Sequence, residues 1–369
     1  MKTTSVFLAA VLGLLVSAPS AVSALPVDPF LFRPQMFSWA GPEPAPPVSP
    51  SFAQEPGRSD SSGKAQSGDS SPAVTASKSV KLSGYTQVQF NHLEIGNDTF
   101  TIRRTRVALT GEASRGIKFK FQTDIARTPI LLDANVDFVW SGVLNLRVGQ
   151  FQVPFSMENL TPSSSLDTIN RSRPEETLVP SRDNKALGRD IGAMLFGSTG
   201  IVEYAFGVFN GPGINQKDND DHKDLAARLV LRPAGFLHVG VSYYDGKRPL
   251  TAGDALVDRD RLGFEGVIRH GGLALKGEYI SAWDDDIRRN GWYVQGVYDI
   301  LPGKAQAVLK YDVLDAEGGL PGRSTSLWTA GVNVVLADKA KFQINYEYYR
   351  GVNGGRDNSA VLAFLQAGF

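Results

Sequence analysis

The stretch TIRRTRVALTG, residues 101–111, sets Arg103, Arg104 and Arg106 almost side by side. A guanidinium stays charged at physiological pH and offers a planar fork of N–H donors that fits oxyanions. The chemistry open to such a cluster is anion binding. More cations follow at Lys118, Lys120 and Arg147, then at Arg171, Arg173, Arg182, Lys185 and Arg189. Other chemistries have less support. The chain has no cysteine, which excludes disulfides, thiol nucleophiles and thiolate metal sites. His92, His222, His238 and His270 lie in different segments, with no HExxH spacing and no G-x-S-x-G elbow. The acidic run QKDNDDHKD at 216–224 lacks the glycine and closing glutamate of a calcium loop and reads as solvated. No catalytic residue, metal or cofactor is expected.

The arginines need an element that keeps them wet. After Arg106 the sequence alternates, with Val107 and Leu109 on one face and Arg104, Arg106, Ala108 and Thr110 on the other. A period of two is the mark of a strand between two different surroundings. A buried unpaired charge is expensive, so the arginine face must meet water. Arg103 falls on the apolar face. Either it snorkels to an interface or a β-bulge turns it inward.

The same alternation returns from Val80 to the end of the chain. Phe342, Ile344, Tyr346 and Tyr348 interleave with Lys341, Gln343, Asn345 and Glu347; Ile117, Phe119 and Phe121 interleave with Lys118, Lys120 and Gln122. Sixteen such segments can be counted, from 80–92 to 358–369. Ten residues tilted by about 45° cover roughly 24 Å, the height of an outer-membrane apolar band. Every second connection is tiny (EASRG, SG, STG, RPAG, HGG, LPG, AD), while those between are longer, except at 127–129. Short turns on one rim and longer loops on the other point to an all-β fold, a 16-stranded antiparallel transmembrane β-barrel. Trp140, Trp283, Trp292, Tyr348 and Tyr349 are expected in its interface girdles.

Three domains follow. Lys2, an apolar run from Val6 to Val16 and the small residues Val22, Ser23 and Ala24 form a signal peptide over 1–24, too short to span as a helix of about 20 residues. Residues 25–79, rich in proline, serine and glycine, read as a disordered N-terminal segment. Residues 80–369 form the barrel. A final strand ending on Phe369 fits export to the bacterial outer membrane, where lipid and lipopolysaccharide are the surroundings. The formal net charge of zero argues against nucleic acid as partner.

The longest connection, 151–190, is expected to be the third outer loop, folded inward to narrow the channel. It holds five cations, Arg171, Arg173, Arg182, Lys185 and Arg189, against six acids, so its net charge sets no selectivity. Inward residues of the wall are also mixed: Arg104, Arg106, Lys118, Lys120 and Arg147 share the lumen with Asp124, Asp133 and Asp137. An anion track and a bland mixed lumen both remain open.

The motifs FTIRRTRVALTG, LRVGQFQVPFSMENL, INRSRPEE, LGRDIGAMLFG and YAFGVFNGPG resemble the phosphate-selective porin O and P family. The likeness runs from about residue 80 to the end and is densest over 100–232. It implies a trimeric porin that passes small anions, phosphate among them, along basic lumen residues. Arg103, Arg104 and Arg106 fall on the family's arginine-rich second strand, and Arg171 and Arg173 on the Arg-Ser segment of its inward loop. The connection at 127–129 is too short to latch over a neighbour, which weakens the homotrimer expectation. A general or cation-preferring diffusion porin and a non-transport barrel are the alternatives.

Overall fold

The computed structural model describes residues 80–218, 220–249, 255–316, 324–350 and 357–369. The expected signal peptide and N-terminal segment lie outside these residues. The strands of the first half are β1 (Lys81–Leu93), β2 (Thr99–Ser114), β3 (Ile117–Asp124), β4 (Leu131–Val139), β5 (Asn145–Gln152), β6 (Arg189–Thr199), β7 (Val202–Phe209) and β8 (Asp224–Ala234). The second half adds β9 (Leu237–Pro249), β10 (Leu256–His270), β11 (Leu273–Asp284), β12 (Ile287–Leu301), β13 (Ala305–Asp315), β14 (Ser324–Ala337), β15 (Ala340–Arg350) and β16 (Asn358–Gly368). Each pairs antiparallel with its neighbours in sequence, and β1 pairs with β16 to close the barrel.

Alternation decides which face goes where. On β15 Gln343, Asn345 and Glu347 are buried inside, whereas Ile344, Tyr346 and Tyr348 are exposed on the outer surface. A slip of one residue would turn the polar row toward lipid, so the register is strongly specified. At the closure Gly84 and Phe369 exchange backbone hydrogen bonds of 3.4 and 3.0 Å. A Cβ on Gly84 would sit 2.7 Å from the Phe369 ring, so only glycine leaves room for that side chain.

The register between β1 and β2 shifts, with Gln87 opposite Arg104 and Val88 opposite Ile102. Arg103 is the extra residue, and its guanidinium reaches the inward Gln89 and Asn170. The bulge, not snorkelling, resolves the misplaced arginine.

Two expectations change. The connections expected at 246–260 and 284–289 are largely strand, since β9 to β12 run on past the apolar band; β11 and β12 are joined by only Asp285 and Asp286. Backbone pairing needs no apolar outer face once the strand leaves lipid, so the alternation fades while the ladder continues. Tyr349 is not a girdle residue: it follows the inward parity of Glu347, to which its hydroxyl donates at 2.7 Å. The outer aromatic row is instead Trp292, Tyr311 and Trp328, with ring centroids 5.6 and 4.4 Å apart.

The connection between β5 and β6 carries α1 (Met157–Leu160), a 3-10 turn (Ser163–Ser165) and α2 (Arg173–Leu178). Ser156 caps α1 through Asn159 N, and Ser172 caps α2 through Glu175 N, with Pro174 in its first turn. Val153, Phe155, Leu178 and Val179 of this segment pack against Met194, Phe209, Ala226, Tyr244, Ile280 and Leu314 of the wall. This apolar core inside the barrel is absent from the alternation pattern, which promises only a polar interior.

Val107 lies near the middle of β2 and on its outer face, opposite Gly84. Val107→Arg is expected to weaken barrel folding by up to about 2–4 kcal/mol. Heat-modifiable mobility on gels after refolding into vesicles, titrated with denaturant, measures this; an unchanged midpoint would put Val107 inside.

Candidate functional site

A cavity of about 860 Å³ lies between the inward faces of β1 to β3 and the β5–β6 connection. Nine of the eleven basic residues expected from sequence line it: Arg103, Arg104, Arg106 and Lys120 from the wall, Arg171, Arg173, Arg182 and Lys185 from the connection, and Arg189 at the start of β6. Lys118 and Arg147 are not among them. Lys118 sits opposite Asp137 toward the short-turn end of β3. Arg147 makes two 2.7 Å bonds to Asp137 and lies over the rings of Phe151 and Phe196.

The cations differ in what offsets them. Arg106 pairs with Asp124 at 3.1 Å, and Lys120 and Arg189 share Asp133 at 2.7 and 2.6 Å. Arg173 reaches Asp312 at 3.0 Å across to β13. Arg182 contacts Glu175 at 2.5 Å and Glu176 at 3.1 Å, and Arg171 lies 3.7 Å from Glu175. Arg103 and Arg104 have no carboxylate partner among the described residues. Arg103 donates to Gln89 at 2.5 Å and Asn170 at 2.8 Å, and Arg104 donates to Gln87 at 3.0 Å. The Nε atoms of both are buried without an acceptor, although Arg104 is only 7% exposed. Two buried donors with no protein acceptor, beside an open cavity, suit an anion.

The connection is fastened to the wall by polar bonds. Glu278 of β11 accepts from Met157 N at 2.9 Å, from Glu158 N at 2.7 Å and from the Tyr293 hydroxyl at 2.8 Å. Further along, Ile169 N donates to Asn345, and Lys310 donates to the carbonyl of Asn170. At the far end Asp183 meets Arg259, Arg261 and Arg248. Burial pushes the Asp183 carboxyl up, but these three arginines outweigh it and hold it below the usual carboxylate value.

A family model described as phosphate-selective porin O and P matches residues 83–264, from β1 into β10, in line with the resemblance of the strand motifs. This chain is an outer-membrane porin. A sequence comparison with curated proteins finds no match. Among solved structures the porin is similar to an anion-selective porin from Comamonas acidovorans, at 15% identity and TM-score 0.64, covering 79% of this chain and 100% of that one. It is also similar to the outer-membrane channel DcaP of Acinetobacter baumannii, at 12% identity and TM-score 0.63, covering 80% and 99%. The trimer form of OmpT from Vibrio cholerae gives 12% identity and TM-score 0.58, covering 79% and 99%. At these identities the likeness is one of fold.

Three arginines of the porin escape the sequence reading. Arg127 lines the cavity from the short 125–130 connection, 3.6 Å from Asp124 and bonded to the Arg103 carbonyl. Its signal was the one gap that broke the loop-length pattern. Arg259 and Arg261 hold Asp183, and Arg261 also pairs with Asp284 at 2.7 Å. Their spacing of two in VDRDRLGF is the same alternation that marks Arg104 and Arg106.

Removing the Glu278 carboxylate would orphan two buried N–H groups and a tyrosine hydroxyl, at about 1–3 kcal/mol each. Glu278→Ala is therefore expected to unseat α1 while the barrel still closes. Limited trypsinolysis in detergent should then cut at Arg171, which is followed by Ser172, with heat-modifiability retained. Equal resistance of variant and wild type would show that the other anchors suffice.

Proposed function

We propose that this porin passes small anions by passive diffusion, with phosphate as a physiological solute, and that the β5–β6 connection is its inward-folded constriction. One observation carries the reading. The cavity is lined by ten cationic side chains, the nine expected together with Arg127, and by one carboxylate, that of Glu176. A unit cation and an anion about 4 Å apart attract by roughly 1 kcal/mol in bulk water and more in a narrow, lower-dielectric passage. The family description supports phosphate, and the anion selectivity of the Comamonas porin supports the broader class. The trimer form of the Vibrio protein supports a homotrimer. Residues 1–24 are proposed as the cleaved leader, and residues 25–79 as a tether outside the barrel.

A second reading has a specific basis. Asp124 offsets Arg106 and Arg127, and Asp133 offsets Lys120 and Arg189. That sharing lowers the net charge felt by a solute and favours a general diffusion channel. Zero-current potentials in gradients of potassium chloride and potassium phosphate separate the two.

Replacing Arg103 and Arg104 together with glutamine should shift the anion-to-cation permeability ratio several-fold toward cations. The barrel should fold normally, because neither arginine neutralises a buried carboxylate. Arg106→Gln, by contrast, breaks a buried pair with Asp124 and should lower folding stability, by less than the ~3–5 kcal/mol of a fully orphaned buried charge because Arg127 remains 3.6 Å from that carboxylate. A correctly folded double variant with an unchanged zero-current potential would remove these two arginines from the permeation path.

A further inference from the structure

Glu176 is the one carboxylate among the residues that line the cavity. It stands in the first turn of α2, with its side chain 49% exposed, while its ion-pair partner Arg182 is 6% exposed. The neighbouring acids are placed differently. Glu175, Asp124 and Asp133 are almost fully buried behind the cations they neutralise. Glu176 Oε1 takes a 3.1 Å bond from Arg182 Nη1, and among the described residues no other donor reaches the carboxylate. The Nε atoms of Arg103, Arg104 and Arg171, all lining the same cavity, are buried and without acceptors.

We propose that Glu176 is a specificity-determining residue that acts as a tethered competitor for the anion site. Its carboxylate offsets the guanidinium cluster when the passage is empty, and a permeating anion must displace that influence to bind. The inference rests on the anion reading above.

Effective concentration gives the mechanism its strength. A group held on a short tether acts as if present at millimolar levels, so it competes with a dilute solute without any new contact. Conduction needs a site attractive enough to admit the ion and weak enough to let it go. Ten cations offset only by carboxylates buried behind them would hold a multivalent anion too long. Burial raises the Glu176 carboxyl, but Arg182, Arg171, Arg104 and Arg103 outweigh it and keep the group below its usual value. It is therefore ionised at neutral pH, as a competitor must be.

The full-length protein in planar bilayers tests this, with chloride and inorganic phosphate as probes. Glu176→Gln is expected to saturate in conductance at a several-fold lower anion concentration than wild type. Its zero-current potential should move further to the anion side. Glu176→Asp keeps the charge and should stay near wild type. Arg182 retains Glu175 and Asn159 in both variants, so α2 keeps its seat. Unchanged saturation and potential in Glu176→Gln would overturn the proposal. Equal changes in the Gln and Asp variants would also overturn it, because a seating role is disturbed by both. If Glu176→Gln does not insert, Glu176→Ala carries the same expectation, and failure of both makes the residue a structural one. A wild-type channel that prefers cations would instead defeat the anion reading itself, before any variant is compared.

Discussion

In a bilayer no water is available to satisfy the peptide group, so every backbone N–H and C=O of the wall must find its partner in a neighbouring strand. Closure of β1 on β16 removes the last unpaired edge, and the rest of the molecule follows from that ring. Once the ladder is closed, side chains have two destinations. Apolar residues such as Leu109, Phe121 and Leu365 take the outer surface, and the alternate positions are committed to the interior. The charges that gather there are a consequence of the ring as much as of any function.

Inside, charge is arranged in depth. Asp124 and Asp133 lie against the wall with side chains at most 3% exposed, and the cations that cover them face the cavity. This places countercharge where it stabilises the arginines and lysines without presenting itself to a passing solute. Arg103 and Arg104 are the exceptions, held by the amides Gln87, Gln89 and Asn170, which orient a guanidinium and leave its charge intact. The connection is managed by the same means, with Glu278 at one end and the Asp183 arginines at the other.

Much of this was legible in the sequence because a period of two survives without tertiary information. The inward fate of Arg104 and Arg106, the outward fate of Val107 and the strand count all follow from it. What was hidden depended on local breaks in that period or on distant contacts. Arg103 needed a bulge, which is a property of the β1–β2 register and not of β2 alone. Arg127 sits in a connection, where alternation says nothing. Lys118 and Arg147 have the correct parity but lie outside the cavity lining, since periodicity gives a face and not a height. The apolar cluster around Phe155 and Leu178 was unreadable because its partners, such as Tyr244 and Ile280, come from strands far along the chain.

That cluster has an electrical consequence. Its hydrocarbon side chains, contributed by wall strands from β5 round to β13, exclude electrolyte from their part of the cross-section, while the cation-lined cavity lies against β1 to β3. Resistances in series add, and the narrowest stretch dominates the sum. A partly filled interior therefore offers an aqueous path more resistance than an open ring of the same sixteen strands would. An ohmic property of the molecule is in this way tied to how Phe155 and Leu178 pack inside it, and not to the number of its strands alone.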